Sequence, residues 1–223
     1  MTTSATLEVD TDQGPGRLHL AIPDAVRGAI VLGGGASGQV ATVDLTALAD
    51  HLPDQGWVVA RYELPWRVAG RSVGPRPPGS DPLWQAGVEV VRERWPGVPM
   101  VTGGRSAGAR IACRTWAPWG AGIVALSFPL HAPGRPTPTR LAELQPVGVP
   151  VLLVSGDRDP YGSPDELTNA VSAPQAGQRQ LVIIPGATHS FPVRTVPAVL
   201  AAVAGFLTLA LQSNADELAD PSR

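Results

Sequence analysis

The stretch that decides the fold is VPMVTGGRSAGARIACR, residues 98–114. Residues 99–102 form an apolar run that predicts a β-strand, and the end of the stretch predicts a helix. Between them lies Gly-x-Ser-x-Gly, from Gly104 to Gly108, a pattern typical of a sharp turn that presents a serine at the end of a strand. Glycines suit such a turn because the backbones on either side of the serine nearly touch. The pattern predicts that Ser106 is a nucleophile, although short motifs of this kind also occur by chance.

A serine nucleophile needs a base, and the chain offers His19, His51, His131 and His189. His189 follows the β-branched run 181–184 and a glycine-containing loop, so it lies beyond the carboxyl end of a strand, where open α/β sheets place their sites. His19 lies in an alternating segment, and His51 ends a helical one. His131 follows another strand and is predicted to line the substrate pocket. His189 is the predicted base.

A carboxylate must hold the imidazole of that base in the right tautomer. The apolar strand 151–155 is followed by both Asp157 and Asp159. Side chains two residues apart can face the same way, so spacing alone does not choose between them. Aspartate beside glycine and proline is also a common turn former. Asp159, which lies deeper in the loop, is the favoured acid.

A second glycine-rich turn, Gly33 to Gly38, follows the strand 29–32. The backbone N–H groups of Ala36 in this turn and of Ala107 after the serine are predicted to hold an oxyanion. The spacing of Gly33, Gly35 and Gly38, with an acidic Glu63 after the next strand, also matches a dinucleotide-binding fingerprint. That alternative, an NAD(P)-dependent oxidoreductase similar to the short-chain dehydrogenases, requires a Tyr-x-x-x-Lys pair.

The chain contains no lysine, and its seventeen basic side chains are all arginine. This argues against the oxidoreductase and excludes a P-loop and a Schiff-base nucleophile. The net charge of −2 argues against nucleic acid as a partner. Cys113 is the only cysteine, so a four-cysteine zinc site is excluded and no metal or cofactor is predicted.

The length of 223 residues suits one domain over residues 1–212, followed by a disordered tail at 213–223. The beginning of the chain has no pattern of a secretory signal, so a cytoplasmic location is expected. The apolar segment 196–211 is short for a membrane span and predicts a packed helix, with no membrane partner.

Strand-like runs alternate with helical segments along most of the chain, which predicts an α/β fold: a mostly parallel sheet with helices on both faces. A hairpin is expected over residues 6–22. The strands are expected at 29–32, 57–62, 99–102, 122–126, 151–155 and 181–184, and the helices at 41–52, 82–95, 107–117, 163–172 and 195–211. Residues 65–82 are expected to form an ordered loop over the site, and 131–146 a second loop with one short helix. Neither is large enough for a cap domain.

With these residues in view, the chain resembles a small, lidless α/β-hydrolase, similar to the dienelactone-hydrolase-like branch that includes bacterial homologues of the KANL3/Tex30 proteins. The order Ser106, Asp159, His189 is the order of that superfamily. The resemblance rests on four stretches: GGRSAG (103–108), SFPLH (127–131), SGDRDP (155–160) and GATHSF (186–191). In the family pattern Asp159 occupies the acid position, and Gly34-Gly35 stands where His-Gly is usual.

The resemblance implies a serine hydrolase that acts on a small-molecule carboxylic ester or related acyl compound through an acyl-enzyme. Ser106 would attack the carbonyl, and His189, oriented by Asp159, would carry the proton. Residues predicted to bind substrate are Gly35, Arg105, Phe128, His131 and Tyr161, with Trp66 and Trp84 as further candidates for an acyl pocket. The contrasting hypothesis is a non-catalytic interaction module that retains the fold. Substrate identity and oligomeric state do not follow from the sequence.

Overall fold

Within the residues that the structure describes, eight strands form one sheet. The computed structural model describes residues 1–132, 134–135, 140–172 and 178–219, excepting the side chains of 213–219. The strands are β1 (Thr2–Val9), β2 (Gly16–Pro23), β3 (Gly28–Gly33), β4 (Trp57–Glu63), β5 (Met100–Arg105), β6 (Gly122–Leu126), β7 (Val151–Gly156) and β8 (Arg179–Ile184). Their order across the sheet is β1-β2-β4-β3-β5-β6-β7-β8. The β1–β2 hairpin is antiparallel and pairs antiparallel with β4, and the remaining pairs are parallel.

Helices follow most of the strands, as the sequence predicts. They are α1 (Val43–His51), α2 (Pro65–Val68), α3 (Asp81–Arg94), α4 (Ala107–Arg114), α5 (Leu141–Leu144), α6 (Pro164–Val171) and α7 (Val196–Ala219), with 3₁₀ turns at Leu52–Gln55 and Val193–Thr195. The prediction of a mostly parallel sheet with helices on both faces is confirmed.

The central strands are covered on both faces. Every residue of β3, β6 and β7 is buried, which explains why these strands are nearly continuous apolar runs without polar alternation. On one face α1 and α7 pack through side chains such as Leu45, Leu48, Val203 and Phe206. On the other face α3, α4 and α6 pack, and Trp84 is among the largest side chains buried there.

The carboxyl ends of β3 and β5 form the switch point of the sheet. The chain goes from β3 to β4 on one side and then returns to place β5 on the other side of β3. Connections therefore leave β3 and β5 in opposite directions, which opens a crevice above their carboxyl ends. Gly33 at the end of β3 pairs in register with Gly104 of β5, so the two glycine-rich turns of the sequence face each other across this crevice.

Three segments add detail to the sequence predictions. Residues 65–82 contain the short α2, and residues 131–146 contain α5, although 133 and 136–139 of that loop lie outside the described residues. Helix α7 continues past the expected end at 211. The predicted tail, 213–223, falls outside the described residues apart from the helical backbone of 213–219.

One segment, Val193–Gln212, is long and apolar enough to span a membrane by length and composition. Its Val199, Val203, Phe206 and Leu207 are buried in the core between α7 and the sheet. A helix of a protein core passes the same test, and 33% of the apolar window is buried here, so the segment is weak evidence for a membrane span.

Candidate active site

Ser106 lies at the tip of the turn between β5 and α4. Its backbone has φ 54° and ψ −105°, outside the regions that side chains favour. The Ser106 N–H donates to the Leu126 carbonyl at 2.8 Å, which ties the turn to the neighbouring strand β6. Strained backbone of this kind persists only where its surroundings enforce it, and it is concentrated at functional sites.

The glycines on either side of Ser106 are required by close approach to the turn after β3. A Cβ atom built on Gly104, where φ is +147°, would lie 2.3 Å from the Gly33 carbonyl oxygen. A Cβ on Gly108 would lie 2.4 Å from the same oxygen. The backbones of the two turns are therefore in contact, and that contact requires a residue without a side chain at Gly104 and at Gly108.

His189 lies in the loop after β8, and its ring reaches Ser106. Nε2 is 2.9 Å from the Ser106 Oγ. The Tyr161 ring packs edge-on against the imidazole, with 4.6 Å between the ring centroids. Nδ1 is on the far side of the ring and faces the loop after β7.

Asp159 is the carboxylate that meets Nδ1 of His189. The Asp159 Oδ2 lies 2.8 Å and Oδ1 3.1 Å from Nδ1, and the Asp159 side chain is 1% exposed. Its Oδ1 also accepts the Tyr161 N–H at 2.9 Å, and its Oδ2 accepts the Ser155 hydroxyl at 3.4 Å. Asp157 is used differently, because its Oδ1 accepts the Gly186 N–H at 2.8 Å and so braces the turn after β8.

The three side chains form one continuous hydrogen-bonded chain. With the proton on Nδ1, the imidazole donates to Asp159 and leaves Nε2 free to accept the Ser106 hydroxyl proton. A buried carboxylate in this position stabilises the imidazolium that the transfer would create. The arrangement is chemically competent to activate Ser106 as a nucleophile.

The two residues predicted to hold an oxyanion, Ala36 and Ala107, lie on the two facing turns. Ala107 is the first residue of α4, so its N–H has no partner within the helix and points out of the helix N-terminus. Ala36 lies in the facing turn and lines the same cleft as Ser106. The nearest heavy atom to a Cβ built on Gly35 is the Ser106 Cβ at 3.9 Å, so this turn leaves open space next to the nucleophile.

Arg105 links the active-site loops. Its guanidinium donates to the His189 carbonyl at 2.9 Å and to the Ser190 hydroxyl. Its Nε lies 3.4 Å from the Asp44 Oδ2 in the first turn of α1, and the Asp44 side chain is buried. Arg105 also lines the cleft, so its predicted role in substrate binding stays a prediction beside these structural contacts.

Two spaces adjoin the turn that carries the nucleophile, and Ser106 itself lines the first of them. The first, here called the cleft, has a volume of about 280 Å³ and is lined by Gly35, Ala36, Ser37, Arg105, Ser106, Ala107, Arg110, Pro129, Arg140, Tyr161 and His189. The second, here called the apolar cavity, also has about 280 Å³ and lies under the segment 65–82, with Trp66, Trp84 and Ile111 in its wall. Gly35, Ala36, Ala107 and Arg110 border both.

Of the five residues predicted to bind substrate, Gly35, Arg105 and Tyr161 line the cleft. Phe128 does not lie among the described lining residues, because it is packed in the core and is 1% exposed. His131 is also buried, and its Nε2 pairs with the Glu166 Oε1 at 2.9 Å, away from the cleft. Both follow β6, but the turn after that strand directs them inward.

Two arginines in the cleft were missed by the sequence analysis. Arg110 lies one helical turn after Ser106, and its N–H donates to the Ser106 carbonyl at 3.1 Å, so helical spacing from the nucleophile could have found it. Arg140 comes from a different loop and has no such sequence signal. Among the described residues there is no group of three or more His, Cys, Asp or Glu side chains that could hold a metal ion.

A model of the alpha/beta hydrolase domain matches residues 26–199 of the chain. The chain belongs to the alpha/beta hydrolase family. The match covers β3 to the start of α7 and includes the loops that carry Ser106, Asp159 and His189. The predicted fold class is therefore confirmed. No curated protein matches the chain by sequence.

Solved structures similar to this alpha/beta hydrolase include a serine hydrolase without a lid, a serine hydrolase homologue and an esterase. A serine hydrolase without lid from Xanthomonas campestris is 25% identical with a TM-score of 0.74, over 93% of this chain and 95% of that one. A serine hydrolase homologue from Coxiella burnetii is 20% identical with a TM-score of 0.75, over 92% and 98%. An esterase from Pyrococcus furiosus is 16% identical with a TM-score of 0.74, over 94% and 91%. The family match supports a hydrolase, and the three structures share the fold.

Proposed function

We propose that this alpha/beta hydrolase cleaves carboxylic esters or related acyl compounds through an acyl-enzyme on Ser106. The observation that carries the proposal is the unbroken chain of contacts from the Ser106 Oγ through His189 to the buried Asp159. A non-catalytic interaction module would have no need of a strained serine aligned with a base and a carboxylate. A small-molecule ester in the cytoplasm is the expected substrate.

In the proposed reaction the Ser106 Oγ attacks the ester carbonyl while its proton passes to Nε2 of His189. The carbonyl oxygen becomes negative and accepts hydrogen bonds from the N–H groups of Ala36 and Ala107. As the tetrahedral intermediate collapses, the carbon–oxygen bond to the leaving group breaks, and His189 returns the proton to that oxygen. Water, deprotonated by His189, then hydrolyses the acyl-enzyme.

The finer placement in the family remains part of the proposal. The motifs around Ser106, Phe128, Asp159 and His189 are similar to those of the dienelactone-hydrolase-like branch with the KANL3/Tex30 homologues. The esterase from Pyrococcus furiosus among the similar structures fits the same reaction class.

A fluorophosphonate probe tests the proposal directly. We expect it to label the folded protein at Ser106, which peptide mapping would identify, and to leave Ser106→Ala unlabelled. Ser4→Ala, which removes an exposed serine from the edge strand β1, should be labelled like the natural chain. Labelling at another residue in the folded protein would contradict the proposal.

The acid is tested by a matched pair of substitutions in one loop. Asp159→Asn should lower the kcat for p-nitrophenyl acetate by about 10³- to 10⁴-fold, because an amide facing Nδ1 favours the wrong imidazole tautomer. Asp157→Asn disturbs only the contact with the Gly186 N–H and should change kcat by about threefold or less. The reverse ranking, at equal melting temperature, would assign the acid to Asp157.

A further inference from the structure

The position of His189 distinguishes the two spaces beside Ser106. In ester hydrolysis the base must return its proton to the leaving oxygen, so the leaving group lies next to His189. His189 lines the cleft, whereas the described lining of the apolar cavity contains Trp66 and Trp84 and not His189. The cleft is therefore the leaving-group side, and the apolar cavity is the acyl side.

Three arginines, Arg105, Arg110 and Arg140, line the leaving-group side. Arg105 pairs with Asp44, with 3.4 Å between Nε and Oδ2. Arg110 is paired with Glu143, with 2.7 Å between Nε and Oε2. Arg114, on the same helix, is paired with Asp81 at 2.6 Å and lies 3.4 Å from Glu143. Both carboxylates of the cluster are thus engaged by these two arginines.

Arg140 is the remaining cation in the wall of the cleft. Among the described residues no carboxylate oxygen lies within 4.0 Å of its guanidinium, and its Nη1 donates to the His131 carbonyl at 2.8 Å. The neighbouring positions 133 and 136–139 are proline and threonine, which carry no charge. Partial burial and the nearby Arg110 lower the pKa of Arg140, against the opposite influence of the more distant Glu143. An arginine nevertheless stays charged at neutral pH, so it loses hydration here without a carboxylate in direct contact among the described residues.

We propose that Arg140 binds an anionic group, a carboxylate or a phosphate, on the leaving-group part of the substrate, whose acyl part is apolar and occupies the apolar cavity. This proposal rests on the proposed ester hydrolysis, and it adds which part of the substrate is charged and which part is apolar. An arginine fork bonds to carboxylate and phosphate oxygens with charge-assisted hydrogen bonds, and the contact with His131 holds the Arg140 fork in place.

Three hexanoate esters that differ only in the leaving group test the assignment. One carries 4-hydroxybenzoate, one the neutral 4-hydroxybenzamide, and one 4-hydroxyphenyl phosphate. The neutral amide withdraws electrons more strongly than the carboxylate does, so its phenol is the better leaving group. Intrinsic reactivity therefore favours the neutral ester and works against the preference for an anionic ester that we expect. The natural chain should cleave at least one anionic ester with a kcat/KM about tenfold or more above that of the neutral ester at low salt. Which anionic ester is preferred then distinguishes carboxylate from phosphate.

Arg140→Gln should abolish that preference, with a loss of kcat/KM on the anionic ester about tenfold larger than any loss on the neutral ester, and an unchanged Tm shows that the variant is folded. Arg140→Lys should retain part of the preference, because it keeps the charge and loses the fork. Arg27→Gln makes the same change in charge at an exposed site near the amino end of β3, and the preference should persist there.

Equal rates on all three esters, or a loss on Arg140→Gln that is the same for neutral and anionic esters, would overturn the role of Arg140 and leave ester hydrolysis standing. No turnover of any of the three esters, together with no fluorophosphonate labelling of Ser106, would overturn both proposals.

Discussion

The two glycine-rich turns of this alpha/beta hydrolase have similar composition, but one glycine, Gly35, is used differently from the others. In the turn around Ser106, Gly104 and Gly108 are glycine because a side chain would collide with the backbone of Gly33. In the facing turn, Gly35 borders open space in front of Ser106. The other glycines of the facing turn are packed, since a Cβ on Gly34 would lie 2.4 Å from the Gln39 carbonyl oxygen and one on Gly38 2.5 Å from the Trp66 ring. Gly35 is therefore the position of this turn that leaves room. A glycine pattern alone does not distinguish these uses, since both follow a parallel strand.

The same comparison explains why the dinucleotide fingerprint of Gly33, Gly35 and Gly38 is a poor guide here. In a dinucleotide site the turn leads directly into a helix whose N-terminus holds the pyrophosphate. Here α1 begins only at Val43, and its first turn carries the buried Asp44, whose negative charge opposes that of a pyrophosphate.

The acidic residue of the fingerprint is also engaged elsewhere. Glu63, at the end of β4, lies 2.9 Å from His19 and 3.8 Å from Arg17, both on the neighbouring strand β2. In a dinucleotide site this carboxylate would instead face the ribose of the cofactor. Its pairing within the sheet favours a structural role.

The largest expected effect is the loss of stability caused by a substitution that makes the two turns collide. Gly104→Ala should lower the free energy of unfolding by about 3 kcal/mol or more, because it combines an unfavourable φ with a Cβ too close to the Gly33 carbonyl. Gly97→Ala is also at a positive φ, +80°, with no heavy atom within 4 Å of the added Cβ, so it should cost only about 1 kcal/mol. Chemical denaturation measures both, and equal losses would show that the contact between the turns adds nothing.

The second effect concerns the ion pair between Arg105, in the turn around Ser106, and Asp44 in the first turn of α1. Arg105→Met should cost about 2 to 3 kcal/mol of stability, because it leaves the buried Asp44 without its cation and frees the His189 loop. Arg105→Lys should cost less. In a double-mutant cycle, Arg105→Met with Asp44→Asn should cost less than the sum of the single changes. Additive losses would mean that Arg105 and Asp44 do not stabilise each other.

A smaller effect is expected where the facing turn leaves room. Gly35→Ala should leave stability within about 0.5 kcal/mol, since the added Cβ has no close contact. It should lower kcat/KM for p-nitrophenyl acetate by about 10- to 100-fold, because the methyl group displaces the ester carbonyl from Ser106. Thermal melts and steady-state kinetics on one preparation separate the two results. Unchanged kinetics would place the substrate elsewhere.

The last prediction is that dinucleotides do not change the thermal stability of the protein. A dinucleotide site would raise the stability of the fold by about 2.7 kcal/mol at a hundredfold excess of ligand over its Kd. Because Asp44 opposes a pyrophosphate at α1, we expect no change in Tm with NAD or NADP. A saturable increase in Tm without hydrolysis of p-nitrophenyl acetate would favour the oxidoreductase.

Much of the active-site layout could be predicted from the sequence because its signals are local. The turn around Ser106 is encoded by its own glycines, and the strands before Asp159 and His189 are encoded by apolar runs that end in turn residues. Parallel strands bring such ends to one edge of the sheet. The same local signals were insufficient for Phe128 and His131, which also follow a strand but turn into the protein.

By itself, then, the sequence determined the strand–turn–helix around Ser106, the alternation of strands and helices, and the strand ends where Asp159 and His189 lie. Only the tertiary structure decided that Asp159 and not Asp157 contacts His189, that Arg105 pairs with Asp44, and that Arg140 reaches the cleft. The physical reason is the distance along the chain over which each interaction acts. Hydrophobic periodicity and turn chemistry act between near neighbours, whereas the direction of a loop side chain depends on elements far away in the chain that pack against it.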